Sequence, residues 1–256
     1  MIRKVTNSTA SSGGVSKDEF LASVRRTLGR TQSPPDPPYP RLEDTLADLE
    51  AAAAAVHQRL AESRVASLDK LAEMAQSGGW NVYRAPGYEE AIGYISSLAE
   101  SLGIDRVVRS DQEVFDEAPV DSALVNLGLE VTTVAQGEGR SVESLRQDMI
   151  VAGLGITGAD YAVAETGSVV IVPRKGLSRL VSLLPPVHLA LVRPQDVVDT
   201  LDDLFLLRRL EYYRNGADMG SYLNFITGPS RTADIEMTLV VGVHGPKEVH
   251  LVLLEP

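Results

Sequence analysis

The chain contains no cysteine. That excludes intrachain disulfides, thiolate-ligated zinc, a cysteine-held iron–sulfur cluster and a cysteine nucleophile. Basic side chains are also in short supply. Lys and Arg number 24 against 35 Asp and Glu, a formal net charge of −11. Broad surfaces for nucleic acid or an anionic membrane are built from the opposite excess, so neither partner is expected, although a local basic pocket stays open. The 256 residues hold four histidines. None stands in H-x-x-x-H or H-E-x-x-H spacing, so no metal site is expected. No run approaches the ~18 uninterrupted apolar residues of a spanning helix. The opening "MIRKVTNSTASSGG" lacks the apolar core of a secretory signal and reads as a tail. The expectation is a cytoplasmic protein without a membrane span.

What is present is an ordinary globular mix, 44% hydrophobic and 23% charged, enough for one sizeable core. Residues 1–40 read as a tail, a short helix and a linker. "SKDEFLASVRRTLGR" opens with a capping box, Ser16 with Glu19, and sets Phe20, Val24 and Leu28 on one helical face. The segment "TQSPPDPPYP" (31–40) then carries five prolines in ten residues, which breaks any helix. Residues 41–77 read as one long helix stopped by Gly78 and Gly79. Within it Leu46, Leu49, Ala53, Val56 and Leu60 step by threes and fours, the spacing of a coiled-coil seam. That stripe either covers the chain's own core or makes a homodimer.

From residue 78 to 256 strand-like runs alternate with amphipathic helices. "WNVYRA", "IDRVVRS", "LEVTTVA", "YAVA", "SVVIV", "HLALVR", "SYLNFITG" and "VHLVLLE" are the strand runs. Asp111 is placed to cap the helix after the second run. "SVESLRQDMIVAG" carries a weaker box, Ser141 with Ser144. "PQDVVDTLDDLFLLRRL" reads as one helix with Pro194 near its start. Such alternation argues for an α/β domain around a mostly parallel sheet.

Four motifs bear on chemistry. "GLGITG" supplies Gly153, Gly155 and Gly158, a formal dinucleotide fingerprint. It lacks the following helix and the acid some 20 residues on, so it is not read as one. "YAVAETGSVVIV" reads as strand–turn–strand with Glu165 at the tip, beside Thr166, Gly167 and Ser168. There Glu165 is either a solvated turn residue or the acid of a small polar site. In "ITGPSRTADIE", Gly228 and Pro229 bend the chain, Ser230 and Thr232 can cap a following helical turn, and Arg231 offers a donor fork for an anion. Arg231 could instead pair with Asp234 or Glu236. "GVHGPKEVH" sets His244 in an exposed turn and His250 in a core or edge strand. Finally, "PRKGLSR" gathers Arg174, Lys175 and Arg179 as a solvated basic loop or the wall of an anion site.

Residues 15–256, above all "GITGADYAVAETGSVVIVP", "LLPPVHLALV" and "GPSRTADIEMTLVVGVHGPKEVHLVLL", resemble the LUD-domain family of lactate-utilisation proteins. The resemblance implies a Rossmann-like, mostly parallel sheet similar to the sugar-phosphate isomerase and CoA-transferase group, carrying an N-terminal helical extension. It also implies a place in a bacterial system that oxidises L-lactate to pyruvate. This chain would be the clusterless subunit, without a cofactor of its own, and its partners would carry the iron–sulfur clusters. The "AETG" turn is similar in placement to the catalytic glutamate turn of the CoA transferases. That is an analogy of fold. Two other functions fit the residues. One is a stand-alone isomerase or acyl-transfer enzyme with Glu165 as base or nucleophile. The other is a sensor of a small anion. In each, Thr166, Gly167, Ser168, Ser230, Arg231 and His244 would hold a small carboxylate or phosphate.

Overall fold

The computed structural model describes residues 16–29, 44–135, 140–174, 178–216, 220, 222–233 and 239–256. The chain divides into two units, Met1–Asp44 and Thr45–Pro256. In the first, α1 (Lys17–Thr27) carries the expected capping box, with Ser16 N donating to Glu19 Oε2 at 2.9 Å. None of its residues is buried, and Phe20, Val24 and Leu28 are exposed. The proline-rich stretch 31–40 lies outside the described residues.

The second unit begins with a 33-residue helix, α2 (Leu46–Gly78), opened by a Thr45–Asp48 box and stopped at Gly79 in the left-handed region, φ +98°. Apart from the exposed Leu46, the stripe with coiled-coil spacing faces the chain's own interior. Leu49, Ala53 and Leu60 pack with Val163, Val170, Val198, Leu204 and Leu207. Farther along the helix, Leu68, Leu71, Ala72 and Ala75 join a different core with Trp80, Val169, Ile171 and Leu251. One helix therefore seals two cores, and full burial of each large side chain stabilises by about 1.5–3 kcal/mol.

Six strands build the central sheet: β1 (Asn81–Ala85), β2 (Arg106–Ser110), β3 (Glu130–Val134), β4 (Leu154–Thr157), β7 (Val187–Val192) and β12 (Glu248–Leu254). Their order is β1-β12-β7-β4-β2-β3, and every pairing is parallel. Both faces are covered. That is why the central runs are continuously apolar rather than alternating, and all six residues of β7 are buried. On one face lie α3 (Tyr88–Ser101), α4 (Val114–Glu117) and α5 (Val120–Asn126). Helix α6 (Val142–Val151) packs on Val108 of β2 and Val134 of β3 through Met149, joined by Ala152 just past its end.

A second sheet combines β5 (Tyr161–Val163), β6 (Ser168–Ile171), β8 (Val197–Val198) and β9 (Asn224–Ile226) in the order β8-β5-β6-β9. The expected strand–turn–strand is an antiparallel hairpin pairing Tyr161 with Val170. A two-stranded hairpin, β10 (Arg231–Ala233) with β11 (Leu239–Val241), follows β9.

Two local expectations change. The helix expected from Pro194 divides into a 3-10 turn, Pro194–Asp196, then β8, then α7 (Leu201–Arg214). The β-branched pair Val197–Val198 extends beside Ala162 and Val163, and a fresh box, Thr200 with Asp203, restarts the helix. Asp111 is not a cap: α4 begins after Glu113, which makes no side-chain capping bond. The Ser141–Ser144 cap forms as expected, at 3.0 Å.

Candidate functional site

The Glu165 turn is held tightly by its surroundings. The Glu165 amide donates to Asp199 O at 3.0 Å, and the Gly167 amide donates to Val163 O at 3.0 Å. Ser168 Oγ lies 2.8 Å from Thr227 Oγ1. Gly167 adopts φ +65°, and a Cβ there would run into the α2 backbone at Met74–Ala75. Thr166 Oγ1 reaches Val163 O at 3.5 Å. The groups expected to serve a ligand are thus used in closing the turn. The Glu165 carboxylate accepts the Leu201 amide at 2.6 Å, at the first residue of α7. A negative group at that position meets an otherwise unmatched N–H and the positive end of the helix dipole.

The Ser230–Arg231 loop lies close by, because β9 pairs with β6 and leads through Thr227 into it. It does not sit at the carboxyl ends of the parallel strands. The Arg231 guanidinium packs against Gly79, just before β1, and the Ser230 amide donates to Pro246 O at 2.9 Å, just before β12. Both are amino ends, so the rule that places ligands at carboxyl ends does not reach this loop. Arg231 and Thr232 belong to β10, not to a helical turn. Asp234 and Glu236 lie outside the described residues, and among the described residues no acid pairs with Arg231. His244 is exposed, as expected, and its amide donates to Ser230 Oγ at 3.2 Å. Ser230, Arg231 and His244 therefore share one polar loop, while Glu165 is directed to α7.

The other motifs resolve in different ways. Gly155 is a strand residue facing the Val181 carbonyl, which leaves no room for a Cβ; the fingerprint match is packing. His250 is a core histidine, 2.7 Å from Tyr94 Oη and 2.9 Å from Glu248 Oε1. His188 is fully buried beside Trp80, with Nε2 2.9 Å from Thr157 Oγ1. Burial, then the nearby His250, pushes its pKa down to about 3. Among the described residues, His188 Nδ1 and Trp80 Nε1 have no hydrogen-bond partner. Arg179 lies over the Tyr222 ring, 5.1 Å from its centre. Lys175 is outside the described residues.

Arg174 is part of something the sequence did not disclose. A cleft of about 490 Å³ runs between the open end of the β5–β6 hairpin and α7, lined by Asp160, Tyr161, Arg174, Arg208, Glu211 and Asn215. The charged pair Arg208–Glu211 inside the apolar run "LLRRLEYY" was the available signal. A larger hollow of about 830 Å³ opens at the amino ends of the parallel strands, near Arg106, Glu130 and Lys247. Among the described residues no group of three His, Asp or Glu could hold a metal, and no helix is long and apolar enough to cross a membrane.

Comparison with known proteins gives a consistent picture. Lactate utilization protein C of Halalkalibacterium halodurans is 37% identical over 161 residues, 63% of this chain and 67% of that protein. Lactate utilization protein B of Shouchella clausii is 28% identical over 235 residues, 73% of this chain and 48% of that protein, so the match spans about half its length. The crystal structure of a DUF162 family protein from Deinococcus radiodurans superposes with a TM-score of 0.51 at 21% identity, covering 75% of this chain and 99% of that one. Its likeness supports the fold alone. The family model of the LUD domain matches residues 68–254, and with the central sheet, the hairpin and the C-terminal strands all inside that span, the chain belongs to the LUD domain family.

Proposed function

We propose that this chain serves lactate utilisation as the clusterless member of a system that oxidises L-lactate to pyruvate. The observation that carries the reading is its similarity to lactate utilization protein C in a chain without cysteine. With no thiolate to hold an iron–sulfur cluster, electrons would pass through partner proteins that carry the clusters. The exposed loop of Ser230, Arg231 and His244 would present donors to a small carboxylate, Arg231 by its bidentate fork. The turn of Thr166, Gly167 and Ser168 would support that loop from behind. Glu165, bonded to the start of α7, would fix the frame rather than move a proton.

The test is a strain lacking the gene, grown on L-lactate as sole carbon source and complemented with variants. The wild-type chain should restore growth, and Glu165→Gln should do so too. Arg231→Lys should not, although it folds by circular dichroism. Growth that never depended on the gene would sink the reading. Full rescue by Arg231→Lys would remove the loop from it.

A further inference from the structure

The β10–β11 hairpin stands apart from both larger sheets. Its strands pair with each other and, among the described residues, with no third strand. All of β11 is exposed, Leu239 at 58%, Val240 at 42% and Val241 at 46%, and Val243 just beyond it is 54% exposed. Neighbours along a strand point to opposite faces, so apolar side chains meet water on both sides of the ribbon. From Leu239 to Val243 there is no charge and no proline. Outer strands are usually blunted by such residues, because an open edge templates pairing. The outer strands of the central sheet follow that rule. Arg84 on β1 pairs with Asp69 and Glu255, and Glu130 on β3 pairs with Arg106 at 3.0 Å. The β11 strand does not.

The ladder fixes which backbone groups face outward. Thr232 stands opposite Val240, and Arg231 opposite Val241. One step further, the Gly242 amide donates to Ser230 O at 2.8 Å. Directly bonded pairs alternate with unbonded ones along an antiparallel ladder. Ser230–Gly242 is a bonded pair, so Thr232–Val240 is the next, and Arg231–Val241 and Ala233–Leu239 are unbonded. The N–H and C=O groups of Leu239 and Val241 therefore point away from β10, to the open edge. That row of donors and acceptors is what an added strand takes up.

The strand that fits it is β11 of a second copy. About a two-fold axis at Val240, Leu239 of one copy meets Val241 of the other as a bonded pair, and the reverse pair forms across the axis. Val240 meets its own counterpart as an unbonded pair, with Cα atoms about 4.5 Å apart. Like faces like there without a charge to repel. A foreign charged strand would find no complementary charge on β11. The net charge of −11 opposes contact between copies over most of the surface. At this edge the nearest cation, Arg231, sits on β10. The two Arg231 residues would lie three strand spacings apart, about 14 Å, beyond the screening length of about 8 Å.

We propose that β11 is a self-association edge. Two copies of this chain join antiparallel through Leu239–Val241 and form a four-stranded ribbon, β10-β11-β11-β10, across a two-fold axis. Arg231 stays on the outer strands, so the proposal does not depend on the lactate-utilisation reading. The contact is smaller than the standard interface of about 1,600 Å², so the dimer is expected to form at micromolar concentration.

Sedimentation equilibrium of the full chain tests this. A reversible monomer–dimer step is expected. Val240→Lys and Val240→Glu should each weaken it at least tenfold while the circular dichroism stays unchanged. An equimolar mixture of the two variants should restore the dimer, because unlike charges then meet at the axis. The chain has no cysteine, so a single introduced one reports the contact. Val240→Cys should give a disulfide-linked dimer on mild oxidation, since the Cα separation of an unbonded pair lies in the disulfide range. Thr232→Cys, on β10, should not. A monomer at every concentration, a dimer that survives Val240→Lys, or equal cross-linking at the two positions overturns the assignment. No recovery in the Lys and Glu mixture overturns it too, because the two edges then do not face each other.

Discussion

The Glu165 turn and the Ser230–Arg231 loop are written in similar letters, glycine, hydroxyls and one charge. They lie near each other, joined by Ser168 and Thr227. Yet the backbone of the turn is packed, with Gly167 buried against the α2 backbone, and its exposed carboxylate is already bonded to the head of α7. In the loop, Arg231 and His244 remain exposed. The same residue types thus serve structure where packed backbone surrounds them and stay available where it does not. Sequence composition alone does not separate the two cases.

The contrast is tested most severely by paired glycine substitutions. Gly167→Ala adds a Cβ at φ +65° that collides with backbone, and should cost about 3 kcal/mol or more in urea denaturation. Gly245→Ala, in the loop, meets nothing nearer than Ser230 Cβ at 3.4 Å and should cost under about 1 kcal/mol. Equal costs would erase the distinction.

The packed region should also respond to acid. Unfolded His188 takes up a proton below about pH 6.5, whereas the folded group does so only near 3. The folded state then binds fewer protons, so its stability is complete above pH 6.5 and falls as the pH drops. The slope is about 1.4 kcal/mol per pH unit. His188→Gln should remove one proton's worth of that slope in denaturation curves between pH 6 and 4, whatever its cost at pH 7.

Smaller effects follow at the two charges. Glu165→Ala removes the acceptor at the head of α7 and should destabilise by about 1–2 kcal/mol. Glu165→Gln keeps an oxygen there and should cost roughly half as much. Arg231→Gln should stay within about 0.5 kcal/mol of wild type by the same measurement. A larger loss at Arg231 than at Glu165 would reverse the comparison.

Much of this architecture was legible in the chain. Runs such as "HLALVR" and "VHLVLLE" announce strands because both faces of the central sheet are covered, so they are almost wholly apolar, each carrying one buried histidine, His188 and His250. The capping box at Ser16 and the single cap bond at Ser141 are local and read directly. What stayed hidden depends on partners distant in sequence. The role of Glu165 is set by an amide 36 residues away. The cleft of Arg174 needs Glu211 from another element. The seam in α2 has coiled-coil spacing, and only the fold shows that α7 and the second sheet fill it. The break at Val197–Val198 was missed because a two-residue strand makes no period of its own.

The position of β12 has a consequence for how the protein is made. This strand fills the gap between β1 and β7, and Ala85 pairs with Leu254. A ribosome completes β1 about 170 residues before β12. At 5–20 residues per second that is a wait of roughly 10–35 s. Throughout it, the backbone edge of β1 that will pair with β12 has no native neighbour, and an unpaired edge invites other chains. Slower translation or depletion of chaperones is therefore expected to lower the yield of folded protein in the cell.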